Sequence, residues 1–142
     1  MGPLPVIYLD TWIWLEYALE GEQEATALDV IEQARAREGA ISTMGIAELD
    51  YILERESDRE TADHLVSAVE DMDAIHIIPV SIEVARYASK VRSKYYERRS
   101  CELSYGDAIH VATASLLDCT ELHTGDSDFE EIDEVDPIVH PV

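Results

Sequence analysis

The chain has 142 residues, 46% of them hydrophobic, and sets 31 acids against 10 bases for a formal net charge of −21. That length supports one compact core and is short for two ordinary domains, so residues 1–142 are expected to form a single domain. No apolar run approaches the ~20 residues that a membrane span needs, and Met1-Gly2-Pro3 lacks the basic start and long apolar stretch of a signal peptide. A cytoplasmic location is expected.

Val6 to Leu9 is a short apolar run between Pro5 and Asp10, suited to a buried parallel strand. Residues 11–19 read as helix ended by Gly21, and residues 22–38 as a second helix, with Ala25, Leu28, Ile31 and Ala34 at helical spacing and a stop at Gly39. Ala40 to Ser42 is a candidate second strand. Ser42 or Thr43 can cap a third helix carrying Ile46, Leu49, Ile52 and Leu53, and Ser57 to Met72 reads as a fourth. Ile75 to Val80 is the next strand. A long helix from Ser81 to about Arg99 follows, then another from Ser104 to Leu117, and Thr120 to Thr124 and Val135 to Val139 complete the strands.

Short β-rich runs alternating with helices predict the α/β class: a short, mainly parallel sheet flanked by helices on both faces, three layers in all. In such folds ligands sit beyond the carboxyl ends of the strands. Asp10 lies at such an end.

Cys101 and Cys119 form no CxxC pair, and His64, His76, His110, His123 and His140 show no HxH or HExxH arrangement. The pattern points away from zinc and from a redox pair, and toward reduced structural thiols.

Most of the acids belong to a solvated surface, but a few stand among apolar residues. Asp10 follows the first strand, where it could also cap the next helix. Glu48 sits in GIAELDYIL, where one polar position on an amphipathic helix is ordinary. Asp107 closes Ser104-Tyr-Gly-Asp107, a helix-starting pattern, yet opens AIHVATASLL, which is apolar nearly all round and reads as buried. Asp126 and Asp128 lie in HTGDSDFEEID, a turn after the fourth strand. Carboxylates gathered in one cleft repel one another, and burying unpaired charge is costly, so a cluster of this kind holds cations. Oxygen ligands without thiolate or imidazole suit Mg²⁺ or Mn²⁺, which lower the pKa of a bound water and clamp the oxygens of a phosphodiester displacement. The chemistry indicated is hydrolysis of a phosphate ester.

These stretches, IYLDTWIWLE, STMGIAELD, LSYGDAIHVATA and LHTGDSDF, resemble the PIN-domain nucleases, and among them the VapC-like toxins of toxin–antitoxin pairs, over nearly the whole length. The resemblance implies an Mg²⁺- or Mn²⁺-dependent ribonuclease, often a homodimer. It places the family's acids on Asp10, Glu48, Asp107 and Asp126, with Asp128 as an adjunct, and has Asp10 and Asp107 hold the metal most directly. Thr11 and Thr124 fall on commonly hydroxylic positions, where they would orient water or the acids. Trp12 and Trp14 make the first helix heavier than the family pattern, and are expected to serve core or dimer packing.

RNA is a polyanion, so a chain at −21 must concentrate its bases or rely on salt. Six of its ten bases fall between Arg86 and Arg99. Arg86, Lys90, Lys94 and Arg98 recur every four residues along one helix face, interleaved with Tyr87, Tyr95 and Tyr96. That face could contact RNA, dock an acidic antitoxin segment, or cover core with its aliphatic stems. The composition itself resembles that of cytosolic proteins from extreme halophiles. Other readings are a housekeeping RNA-processing nuclease and a non-catalytic PIN-like binding module. An aspartyl-phosphate phosphatase would need an acid where Trp12 stands, and a receiver domain a Lys after a late strand.

Overall fold

A computed structural model describes residues 5–98 and 103–141, the side chains of Glu97 and Arg98 excepted. The expectations placed on Met1-Gly2-Pro3, Arg99, Cys101 and the Arg98 side chain therefore lie outside the described residues. Five strands, β1 (Ile7–Leu9), β2 (Gly39–Ser42), β3 (Ile75–Ile78), β4 (Glu121–Thr124) and β5 (Asp136–Val139), form one sheet in the order β3-β2-β1-β4-β5. Every pairing is parallel. Six helices connect them: α1 (Thr11–Ala18), α2 (Glu24–Arg37), α3 (Thr43–Glu56), α4 (Arg59–Asp71), α5 (Ile82–Arg98) and α6 (Tyr105–Leu116).

Successive strand residues point to opposite faces, and β1 shows the consequence. Ile7 and Leu9 join the core beneath α1 to α4, with Ile13, Trp14, Val30, Leu49, Leu53 and Val69. Tyr8 faces the other way, into the core shared with α5 and α6, beside Val91, Tyr95, Ala108, Val111, Leu122 and Phe129. The sheet is thus sandwiched as the α/β pattern predicts. Cys119 is a buried free thiol of the second core. No helix among the described residues is long and apolar enough to cross a membrane.

From β1 the chain builds outward to β2 and β3, then returns to lay β4 on the other side of β1. The gap between β1 and β4 is therefore the topological switch point, and the cleft beyond their carboxyl ends is where this architecture binds ligands. Asp10 leaves β1 there and Thr124 leaves β4.

Boundaries shift by a residue or two from the sequence reading, as where β3 ends at Ile78 rather than Val80 and α4 starts at Arg59. The helices were expected to end at Gly21 and Gly39, and the residues that turn left-handed there are the preceding Glu20 (φ 52°) and Glu38 (φ 71°). Gly39 is needed for space: a Cβ there would lie 2.8 Å from the Ala34 methyl group. Glu38 is steadied by His76, whose Nε2 lies 2.9 Å from its carboxylate. Asp58, rather than Ser57, caps α4 by accepting the Thr61 N–H at 2.7 Å.

Candidate metal centre at the strand ends

Asp10 occupies the N-cap position of α1, yet its side chain makes no capping hydrogen bond. It is 7% exposed, and its carboxylate turns inward instead. Oδ2 accepts from the Thr124 hydroxyl at 2.7 Å, and Oδ1 lies 3.6 Å from His110 Nε2. The Thr124 oxygen also accepts the Asp126 N–H at 3.0 Å. One hydroxyl thus ties the acid after β1 to the acid after β4.

Glu48 approaches from α3. Its Oε1 accepts from the Thr11 hydroxyl at 2.9 Å and from His110 Nε2 at 2.6 Å. Ser42 starts α3 at the end of β2 by accepting the Met44 N–H, which brings the helix in beside the strand tips. The two hydroxyls thus each hold one carboxylate, Thr124 on Asp10 and Thr11 on Glu48.

Asp107 stands in the first turn of α6, whose N-cap Ser104 accepts the Asp107 N–H at 3.1 Å. Asp126 caps the short turn Ser127–Phe129 through the Asp128 N–H at 2.9 Å. Asp107, Asp126 and Asp128 each offer a carboxylate oxygen, and these oxygens lie within 4.8 Å of one another. Among the described residues, no Lys or Arg forms an ion pair with Asp10, Glu48, Asp107 or Asp126.

The electrostatics follow from that arrangement. Burial pushes the Asp107 carboxyl up to about 6, reinforced by the charges of Asp10 and Asp126 and opposed by the Ser104 hydroxyl. Burial likewise raises Asp10, against the pull of His110 and Thr124. Glu48 goes the other way: its burial is outweighed by the His110 and Thr11 contacts, which hold it below the usual range.

His110 is the residue that the sequence reading passed over. It is fully buried on α6, one helical turn beyond Asp107. Burial disfavours its charge, but the hydrogen bond to Glu48 and the charges of Asp10, Glu48 and Asp107 raise its pKa overall. Its Nε2 faces two carboxylates and must carry a proton, while Nδ1 lies 2.5 Å from the Tyr8 hydroxyl, which accepts the Ser42 N–H at 3.0 Å. A chain of contacts therefore runs from the end of β2 through Tyr8 and His110 to Glu48. The available signal was one imidazole in an otherwise apolar helix, which needs partners when buried.

Trp14 is buried in the core, as a packing role requires. Trp12 packs beside the site: its indole stacks on His140, which stacks on His123 and hydrogen-bonds to it at 2.9 Å. A Cβ at Gly125 would lie 2.1 Å from that indole, so only glycine lets the Asp126 loop press against it.

The basic face of α5 is divided. Arg86 and Lys90 line an open groove with Ile82, Glu83 and Tyr87. Lys94 is engaged within the molecule, 2.8 Å from Glu134 and 3.4 Å from Asp133.

The fold is a parallel α/β sheet with Asp107, Asp126 and Asp128 grouped, and Asp10 and Glu48 joined through His110, at the ends of its central strands. The chain belongs to the PIN domain family, whose model matches residues 7–135. Among solved structures it is similar to VapBC2 from Rickettsia felis bound to a DNA fragment from its promoter, with a TM-score of 0.76, 18% identity, and coverage of 95% of this chain and 98% of that one. It is also similar to Mycobacterium tuberculosis VapC20, a Sarcin-Ricin loop cleaving toxin, at a TM-score of 0.73 and 20% identity over 92% and 99% of the two chains. A toxin–antitoxin complex from Klebsiella pneumoniae matches at a TM-score of 0.64 and 23% identity, over 91% of this chain and 94% of that one. At these identities the likeness is one of fold. No curated protein matches the chain significantly.

Proposed function

We propose that this PIN domain is an Mg²⁺- or Mn²⁺-dependent ribonuclease of the cytoplasm that hydrolyses RNA phosphodiester bonds, and that it is the toxin of a toxin–antitoxin pair. The observation that carries the reading is the carboxylate cluster at the switch point, where Asp107, Asp126 and Asp128 bring their oxygens within 4.8 Å of one another and burial, reinforced by the charges of Asp10 and Asp126, pushes Asp107 up to about 6. An all-oxygen donor set of this kind fits a hard divalent cation. In this reading Asp10 and Asp107 hold the metal, with Glu48, Asp126 and Asp128 completing the acid set.

The bound cation supplies a Lewis acid and an acidified water for attack on phosphorus. The chain's own residues fix where that happens. Thr124 keeps Asp10 turned into the cleft rather than onto α1, and Thr11 with His110 keeps Glu48 ionised and oriented. Glu48, held below the usual carboxylate range, remains an acceptor for a water proton at neutral pH.

The toxin assignment draws on the toxin–antitoxin complexes among the similar folds. An acidic antitoxin segment, or the RNA itself, would meet Arg86 and Lys90, with Lys94 held back by Glu134. A homodimer is part of this proposal. The test is cleavage of RNA at high salt with and without Mn²⁺, beside Asp10→Asn, together with expression of the protein alone. Metal-dependent cleavage by the unaltered chain only, with growth arrest, is expected. Cleavage without arrest would favour a processing enzyme, and no cleavage would leave a binding module.

A further inference from the structure

Tyr105 opens α6 two residues before Asp107, and the residue is 61% exposed. It starts the helix beside the acids, since a Cβ on the adjoining Gly106 would lie 3.2 Å from the Glu48 carboxylate. Its ring is nevertheless braced: the Arg92 guanidinium carbon stands 4.4 Å from the ring centroid. Arg92 is in turn anchored through Nε to the Leu103 carbonyl at 3.2 Å. The guanidinium is therefore fixed over the ring by a contact within the chain, and most of the residue remains in solvent.

We infer that Tyr105, backed by Arg92, is a stacking platform for a nucleobase of the RNA flanking the scissile phosphate, an inference that rests on the ribonuclease reading above. Residues two apart on a helix point to different sides, so Tyr105 and Asp107 do not share one contact point. With the scissile phosphate on the acid-cluster side of the helix, a neighbouring nucleotide, not the reacting one, would lie over the ring. The arrangement also answers the problem that the charge of the chain poses. Phosphate contacts by Lys and Arg weaken steeply as salt rises, and at molar salt the screening length falls to about 3 Å. Stacking of a base on an aromatic ring is not screened in this way and tolerates any sequence. A chain at −21 gains an anchor for RNA that survives the salt needed to mask its own charge. Arg92 adds a cation to the ring without spending it on a carboxylate, in a molecule where Lys94 and Arg59 are both committed to acids.

Tyr105 is thus a positioning residue, and the experiment compares Tyr105→Leu and Tyr105→Phe with the unaltered protein. The probe is a fluorescent single-stranded oligoribonucleotide of mixed sequence, cleaved in Mn²⁺ at low and at molar KCl. Tyr105→Leu should raise KM about tenfold at both salts with kcat within about twofold, a change within the range of base–aromatic stacking. Tyr105→Phe should retain the KM of the unaltered protein, and both variants should keep its thermal shift with Mn²⁺. An unchanged KM in Tyr105→Leu overturns the inference, as does a Phe variant as defective as the Leu variant, or a loss confined to kcat. Absence of metal-dependent cleavage by the unaltered protein would instead overturn the ribonuclease reading itself.

Discussion

Replacing Asp107 with Asn should make the metal-free protein more stable at neutral pH. The Asp107 carboxyl is pushed from an ordinary value near 3.8 to about 6 by burial and by the charges of Asp10 and Asp126. At about 1.4 kcal/mol per unit the full shift is a cost of about 3 kcal/mol to the native state, which solvent screening of a half-buried side chain reduces to roughly 1–2 kcal/mol. The sign follows from linkage: the native protein binds this proton more tightly than the unfolded chain does, so the cost is fully present above pH 6 and is relieved as pH falls toward 3.8. Denaturant unfolding in a chelator should therefore show Asp107→Asn ahead at pH values above 7, with the advantage shrinking through pH 6 and gone near pH 4. Added Mn²⁺ should reverse the order, because only the unaltered carboxylate is stabilised by the ion. An Asn variant less stable than the unaltered protein in chelator would refute the reasoning, showing the acids to be held by hydrogen bonds rather than crowded by charge.

Three further variants probe the supports of the site and the basic face of α5. His110→Ala strips Glu48 and Tyr8 of a partner in the interior, and should cost about 3–5 kcal/mol in denaturant unfolding, as breaking a buried charged pair does; a loss under about 1 kcal/mol would contradict the chain of contacts described. Gly125→Ala drives a methyl group into the Trp12 indole and should cost roughly 1–3 kcal/mol while weakening the Mn²⁺-induced thermal shift, since the same loop carries Asp126. Arg86→Ala with Lys90→Ala should raise KM for RNA at low salt and lose that effect at molar salt; an equal effect at both salts would assign these side chains to packing.

The architecture was readable because its punctuation is local. Pro5 and Asp10 bracket β1, Ser104 caps the helix it was expected to open, Ser42 is the cap of the two residues offered for α3, and the acids Asp10 and Asp126 follow strands in the sequence itself. The left-handed residues Glu20 and Glu38 were not readable, because a glycine next door offered the cheaper conformation and the close approach of Ala34 to Gly39 is a tertiary fact. His110 escaped for the same kind of reason. Its contact with Tyr8 spans 102 residues and that with Glu48 spans 62, and no spacing in the chain encodes either. Four equally spaced bases on α5 looked like one surface, but Glu134 arrives from a distant turn and removes Lys94 from it. Periodicity places a side chain on a face; it does not say what that face meets.

The central claim is that acids from β1, β4, α3 and α6 meet around one divalent cation. Anomalous scattering from crystals grown with Mn²⁺ tests it most directly. The account predicts a manganese peak in the cleft beyond β1 and β4, bounded by Asp10 and Asp107 with Asp126 beside them, and no peak there in Asp107→Asn. Manganese bound elsewhere, or a cleft that stays empty at saturating Mn²⁺, would contradict it.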